Sequence, residues 1–590
     1  LNRQLAASVR GGGSETSHGL DVVWRSTDPA VAVVKHGEVS GVAPGEAGIV
    51  ATTWAGADTA LVTVAAQRPD LAAVTVSPAG TLLGVGSELQ FSAIARYRDS
   101  SSGSVTDRSR WTSSAPRVAM VQDGRVTGVM PGQAVIVATF EGYADSSSVT
   151  VESPPPSSGV AYPLMVGSDG HHLTDQRGRP FLMIGDAAWS LVAQLPLEDA
   201  EAYLAGRQVL GFNTVLVSLL EHKYAANAPA NASGASPFTG RAFTTPNETY
   251  FAHADSLIGL AAARDMLVLL APLYLGNGCR DQGWCAEVQA ASAAVLTAWG
   301  RYIGDRYGND PNIIWVIGGD TDPTPVRSKV LAFVSGLRSA DSTHLMTAHN
   351  GPEQMAVQPW RGERWVGVNN VYSYSASLYE GGLAAYGIRP AVPYFLVESA
   401  YENDPGVTPQ QLRAQSYWTL LAGGMGHVFG NCPMWHFGGA PPGRWCSRSD
   451  WREALSSDGS FDMRRFGSLF SARHWHLLVP DTARRALTEG RGRSGQADHA
   501  LAAYASDSSS IIAYLPTTRT VTVSGAVLAG GTMTAWWFAP GTGRTTPIGV
   551  FPTATSQRFT PPSEGDWVLV VDSERFGFPP PGSLTPGAQP

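Results

Sequence analysis

The chain has 590 residues, 43% hydrophobic and 15% charged, with 41 Lys and Arg against 49 Asp and Glu for a net charge of −8. At about 150 residues per domain this length calls for several domains. The acidic balance argues against a nucleic-acid binder, which carries a basic face, and no run of about 18 apolar residues is available to span a membrane.

The chain opens Leu-Asn-Arg-Gln without a signal-peptide pattern, as expected of a processed chain or of export not encoded here. A repeat occupies the first 150 residues. WRSTDPAVAVV, beginning at Trp24, returns as WTSSAPRVAMV at Trp111, and the offset of 87 holds without gaps through Gly37/Gly124 and Pro44/Pro131. Short alternating apolar runs (VAVV, GIVATT) between Gly, Pro and Asp turns predict a small β-sandwich over 1–67 and another over 70–151. Residues 152–160 contain ESPPPSSG and read as a stiff linker.

From 161 to 478 strands alternate with helices. Apolar runs at 181–189, 212–220, 267–276, 312–320, 344–350, 365–374, 393–403 and 426–431 predict eight strands, most of them separated by helical segments. Their continuous apolarity fits a parallel sheet buried on both faces, and eight such units close as a (β/α)8 TIM barrel. A doubly wound open sheet fits less well, because no Gly-rich phosphate loop follows the first strand. The pattern returns to β over 479–575, predicting a C-terminal sandwich, and 576–590 is a Pro- and Gly-rich tail.

The 17 Trp suit stacking on sugar rings, though a single Trp is more often core. Four Cys fall in two local pairs, Cys279 with Cys285 and Cys432 with Cys446. Neither spacing is a zinc pattern, so two loop-closing disulfides in an oxidising compartment are expected, with four separate thiols as the alternative.

A TIM barrel presents its chemistry at the carboxyl ends of its strands. IIWVIGGD ends the fourth strand at Asp320, and PYFLVE ends the seventh at Glu398. Two carboxyls facing each other across a barrel mouth suit retaining glycoside hydrolysis, in which one attacks the anomeric carbon and the other moves the proton. Gly318 and Gly319 allow a sharp turn and leave space beside Asp320. Asp322 and Glu402 are the neighbouring alternatives. Further candidate sugar contacts at strand ends are Asp186, Trp189, Glu221, His222, Tyr274, His349, Asn350, Asn369, Tyr372, Trp435 and His436, each also explicable as packing. His427 and His436 do not make a metal pair, and no G-x-S-x-G, HExxH or Walker loop occurs, so neither metal nor cofactor is implied.

Three resemblances add to this reading. The repeated W-x-S…VA-V…G-x-V-x-G-V-x-PG motif resembles the bacterial immunoglobulin-like group 2 family, whose modules act as spacers or adhesive units on exported proteins. FLMIGDAAW, FNTVLV, IIWVIGGD, VESAYE and GHVFGN…WHFG together resemble the apiosidase-like catalytic domain of glycoside hydrolase family 140. AWWFAPGTGRT and EGDWVLVVDS resemble the domain labelled collagen-binding that often follows it. The second resemblance implies Asp320 as acid/base and Glu398 as nucleophile; Gly-Asp rather than Asn-Glu at the fourth strand favours the apiosidase-like branch. It implies apiose-containing pectin side chains as substrate, with other furanosides and pyranosides open. The expectation is a secreted or cell-surface bacterial glycosidase acting on poly- or oligosaccharide, with the immunoglobulin-like modules as further glycan contacts. A non-catalytic glycan- or matrix-binding adhesin is the alternative. A protease lacks any supporting constellation.

Overall fold

A computed structural model describes the chain except residues 1, 5–8, 12–13, 17–21, 54–55, 65–69, 85–86, 117, 130–131, 153–158, 440–449 and 584–590. Most of the expected linker and the end of the expected tail therefore lie outside the described residues. Two compact units form, one of Leu1–Val76, Ser92–Ser109 and Thr139–Asp145, the other of Ser77–Phe91, Arg110–Ala138 and Ser146–Pro590.

In the first unit, Gly45–Thr53 pairs antiparallel with Val23–Ser26 on one side and Gly56–Val64 on the other. Its core is small: Ala32, Val39, Ala47 and Ile49. The sequence repeat is also a repeat of elements. Val23–Ser26, Ala32–Lys35, Glu38–Gly41 and Gly45–Thr53 reappear 87 positions on as Arg110–Ser113, Ala119–Gln122, Arg125–Gly128 and Gly132–Phe140. The turn residues match as well: His36-Gly37 and Asp123-Gly124 both take left-handed φ, the conformation of a tight type I′ hairpin.

The second unit is built on eight parallel strands: β1 (Met183–Ala187), β2 (Thr214–Ser218), β3 (Leu267–Leu273), β4 (Ile313–Gly318), β5 (Met346–His349), β6 (Asn369–Tyr372), β7 (Tyr394–Glu398) and β8 (Gly426–Phe429). The hydrogen-bonded order runs β5-β4-β3-β2-β1-β8-β7-β6. The ladder closes through β1 and β8, which pair from Met183/Gly426 to Asp186/Phe429, and opens only between β5 and β6. Across that seam Asn370 Nδ2 donates to Thr347 Oγ1 at 3.0 Å and to the Ala348 carbonyl at 2.7 Å, so a side chain replaces the missing ladder. The result is a TIM barrel.

Each strand residue except Glu398 is buried, which is why these segments read as continuous apolar runs rather than alternating ones. The outer helices are α1 (Leu197–Val209), α2 (Glu248–Ala262), α3 (Ala293–Tyr307), α4 (Arg327–Ala340), α5 (Tyr379–Tyr386), α6 (Pro409–Leu421) and α7 (Asp458–Ser471). Local chemistry starts several of them. Asn247, Ser292, Thr408 and Ser457 accept backbone N–H groups at the N-caps of α2, α3, α6 and α7. All eight strands are shorter than the runs expected for them. Phe181 belongs to a small sheet beneath the barrel, and Trp365 sits in the β5–β6 connection packed on Trp360.

The C-terminal region forms a six-stranded and a three-stranded sheet. Along Ser510–Leu515 the residues alternate between two cores. Ile511, Ala513 and Leu515 face the sandwich interior, while Ile512 and Tyr514 join the barrel's core. One joint is the stack of Tyr417 from α6 on Tyr514, 5.0 Å between centroids and 7° between planes. Among the described residues no helix is long and apolar enough to cross a membrane.

Candidate active site

The carboxyl ends of the barrel strands open into a cleft of about 330 Å³. Trp189, Tyr224, Tyr274, Tyr372, Tyr374, Tyr401 and Trp435 supply its aromatic walls, and Glu221, Asp320, Glu398 and Asp404 its carboxyls. Ser218, Asn277, Gln282 and Pro352 complete the lining, with no Lys, Arg or His among the described residues there.

Asp320 arrives by an unusual backbone path. Gly318, Gly319 and Asp320 have φ of +94°, +146° and +47°, all in the region that favours glycine. A Cβ on Gly319 would meet the Tyr274 ring at 2.2 Å, and one on Gly318 the His349 carbonyl at 2.7 Å. The two glycines thus allow β4 to turn between its neighbours. They deliver a non-glycine residue in left-handed conformation, held by Asp320 N–H donating to His349 Nδ1 at 3.0 Å.

Two bridges join Asp320 to Glu398. The first runs through tyrosines: Tyr372 Oη donates to Asp320 Oδ1 at 3.0 Å, Tyr374 Oη to Glu398 Oε1 at 3.3 Å, and the two hydroxyls are 3.2 Å apart. The second runs through His349. Its Nδ1 accepts from the Asp320 backbone, so the ring proton sits on Nε2, which donates to Glu398 Oε2 at 2.9 Å. One imidazole thereby fixes the backbone of one carboxyl and the side chain of the other. Asn277, two residues before the loop closed by the Cys279–Cys285 disulfide, donates to Asp320 Oδ2 at 2.9 Å.

Burial pushes the Asp320 carboxyl above its ordinary range, and the negative charge of Glu398 pushes it further; His349, Asn277 and Tyr372 pull the other way. Burial and the same carboxylates raise the Tyr372 and Tyr374 hydroxyls, which stay protonated as donors. The arrangement offers a shielded acid beside a hydrogen-bonded carboxylate on an aromatic floor, which is the equipment for breaking a glycosidic bond.

Comparison with known proteins agrees. The family profile described as "Apiosidase-like, catalytic domain" matches residues 167–476, more than half the chain. The chain belongs to the apiosidase-like family. It is a glycoside hydrolase by family. The bacterial Ig-like domain (group 2) profile matches 70–151, and the profile described as a collagen-binding domain of a collagenase matches 483–572. A glycoside hydrolase family 5 protein of Bacteroides vulgatus ATCC 8482 shares the fold with a TM-score of 0.63 at 24% identity, over 70% of this chain and 94% of that one. A second solved glycoside hydrolase gives 0.62 at 23% identity, over 71% and 97%. Ice-binding protein 1 of Shewanella frigidimarina (strain NCIMB 400) is 31% identical over 153 residues; the match takes in 25% of this chain and 17% of that protein.

The apiosidase-like barrel sorts the other candidate residues by where it puts them. Trp189, Glu221, Tyr274, Tyr372 and Trp435 line the cleft. Asp186 does not: it is fully buried, taking Arg207 Nε at 2.7 Å and Tyr203 Oη at 2.5 Å. Arg207 continues through Ser460, Ser457 and Asn431 to Glu402, whose other oxygen accepts the Gly459 N–H at 2.8 Å. Asp186 and Glu402 are thus the two ends of one buried polar network beneath the cleft. A carboxylate at a strand end can face into the wall as easily as into the mouth.

Asn350 holds the β5–β6 connection by donating to the Met355 carbonyl, and Asn369 by accepting the Val357 N–H. His222 packs edge-on to Trp284, and buried His436 lies edge-on to Trp435. Asp322 caps its own turn at Thr324, leaving Asp320 as the fourth-strand carboxyl in the cleft. Cys279 and Cys285 are bonded with Cα atoms 5.2 Å apart. Cys432 is also in a disulfide, while Cys446, its expected partner, lies outside the described residues.

Sequence reading missed Tyr224, Asn277, Gln282, Tyr374, Tyr401 and Asp404. Their signal was proximity. Asn277 and Gln282 flank or lie within the Cys279–Cys285 loop, Tyr374 is two residues from Tyr372, and Tyr401 and Asp404 follow Glu398 in VESAYENDP.

Proposed function

We propose that this protein is an exported retaining glycosidase in which Glu398 is the nucleophile and Asp320 the acid/base. The observation that carries the reading is the double bridge between the two carboxyls, through Tyr372 and Tyr374 on one side and His349 on the other. Retention requires carboxyls about 5–5.5 Å apart, close enough to interact electrostatically. The charge of Glu398 pushes Asp320 upward, as expected of two neighbouring carboxyls.

In the first step Glu398 attacks the anomeric carbon while Asp320 gives its proton to the leaving oxygen. Tyr374 and His349 each donate to one oxygen of Glu398, aligning the carboxylate for attack. The glycosyl ester that forms removes the charge of Glu398. Asp320, having given up its proton, then loses the neighbouring charge that raised it and stays ionised, ready to take the proton of the water in the second step. One interaction thus supports both roles in turn.

The aromatic walls suit the C–H faces of a sugar, and the described lining, which has no cationic side chain, suits a neutral one. Apiose-bearing side chains of pectin are the substrate proposed from the family. The immunoglobulin-like modules and the disulfide fit a secreted or cell-surface enzyme.

The test is release of reducing sugar from plant and bacterial polysaccharides and aryl glycosides by wild type, Asp320→Asn and Glu398→Gln. Wild type should release a sugar, and both variants should lose at least about 100-fold in kcat, given the 10²- to 10⁴-fold typical of acid–base catalysis. Glycan binding without turnover across the panel would instead favour an adhesin.

A further inference from the structure

The four cleft carboxyls are not equally supplied with donors. Glu221 Oε1 accepts the N–H groups of His222, Lys223 and Tyr224 at 2.9, 3.1 and 3.2 Å, and its Oε2 accepts Ser190 Oγ at 2.7 Å. That carboxylate is used up holding the loop after β2. Asp320 and Glu398 each have a side-chain donor on both oxygens. Among the described residues Asp404 has a single long contact, the Tyr401 N–H at 3.3 Å to Oδ2. Its Oδ1 meets no protein donor among the described residues, although the side chain lines the cleft.

The local chain explains how it gets there. Asp404 N–H donates back to the Tyr401 carbonyl while Tyr401 N–H donates to the Asp404 side chain, closing a turn six residues beyond Glu398. Asn403 enters this turn with φ of +69°. The turn seats the Tyr401 ring against Gly430, where any Cβ would lie 2.2 Å from the ring, and Tyr401 Oη receives Trp189 Nε1 at 3.3 Å. Asp404 is therefore carried on the same segment as Glu398 and the Tyr401 wall, which Trp189 contacts.

We propose that Asp404 is a substrate-positioning and specificity-determining residue, whose under-supplied carboxylate accepts hydrogen bonds from hydroxyls of a neutral sugar bound against Glu398. This rests on the glycosidase reading above and extends it to a residue that does no bond-breaking. Burial, with the nearby charge of Glu398, pushes the Asp404 carboxyl up to about 6, the behaviour of a carboxylate short of donors. Sugar hydroxyls would supply what the protein does not. The same carboxylate would repel a uronate placed there, so the residue selects for hydroxyls and against charge.

The competing explanation is that Asp404 only closes its turn. Asp404→Asn separates the two, because the amide keeps an acceptor oxygen for the Tyr401 N–H while losing the charge. The substrates are the 4-nitrophenyl glycosides of neutral sugars that wild type cleaves, together with their monodeoxy analogues. Hydrogen bonds to a charged group are worth about 1.5–3 kcal/mol, or about 10- to 100-fold. We expect KM to rise by about that factor with kcat within about 3-fold, and Tm to hold. Wild type should lose about 10- to 100-fold on one or two deoxy analogues, and the variant should lose little on the same ones. Unchanged KM, or the same deoxy penalty in both proteins, overturns the assignment and leaves the catalytic pair untouched. A loss in kcat with a lower Tm assigns Asp404 to the turn and also overturns it. A wild type that cleaves no glycoside brings down the glycosidase reading, and this one with it.

Discussion

At Gly318-Gly319-Asp320 the backbone does what side chains elsewhere do. Three successive residues with positive φ turn the end of β4 inward, and the third places its carboxyl beside that of Glu398. Carrying a raised acid there has a sign that can be worked out. The folded carboxyl binds its proton more tightly than the unfolded one, near 3.9. The folded state therefore carries a penalty that is absent below the unfolded value and grows as pH rises through the folded one. Asp320→Asn should raise Tm at neutral pH by roughly 1–2 °C while abolishing turnover. The alkaline limb of the wild-type pH profile should lie above the ordinary Asp range. In Glu398→Gln the Asp320 carboxyl, followed by ¹³C NMR, should titrate lower than in wild type. An equal or higher value would show that Glu398 does not press on Asp320.

Among elements, the strands were the most legible part of the sequence. A parallel strand buried on both faces must be apolar throughout, so each run and its terminal polar residue were visible, Asp320 and Glu398 included. Which way a terminal side chain points is set by what packs behind it, and sequence does not carry that. Asp186 ends β1 much as Glu398 ends β7, yet Arg207 from α1 draws it into the wall. Tyr374 and Asp404 escaped notice because they sit in loops, where neither periodicity nor composition marks a side chain for the cleft. The Cys279–Cys285 loop makes the same point from the other side. Its pairing was legible, but its consequence, Asn277 seated on Asp320, was not. Replacing both cysteines by serine should lower stability by about 2 kcal/mol and kcat by about 10-fold, since one hydrogen bond to a charged partner would be loosened. An unaffected kcat would mean the loop holds Asn277 without the bond.

At the scale of the whole molecule, the repeat shows sequence and structure in register, since matching strands and turns recur 87 positions apart. The C-terminal sandwich shows where sequence reading stops. Its six-stranded sheet is apolar on both faces because one face fills its own core and the other covers the barrel, a relation that no single segment reveals. Arg413 of α6 pins the junction with two bonds of 2.8 Å to Asp566 and one of 3.0 Å to Asp462, all largely buried. Removing one partner from such a pair leaves the others unpaired, so Arg413→Ala should lose about 3 kcal/mol. Calorimetry should resolve the single transition of barrel and sandwich into two. A variant that melts in one unshifted transition would show that the apolar face alone holds them.

The central claim is that Glu398 forms a covalent bond with the sugar. Its most direct test is to incubate the enzyme with the 2-deoxy-2-fluoro activated glycoside of the sugar it releases, digest it, and locate the added mass. The account predicts a glycosyl ester on Glu398, no label in Glu398→Gln, and a first product of the same anomeric configuration as the substrate. A label on Glu402, or an unlabelled enzyme that releases the inverted anomer, would contradict it.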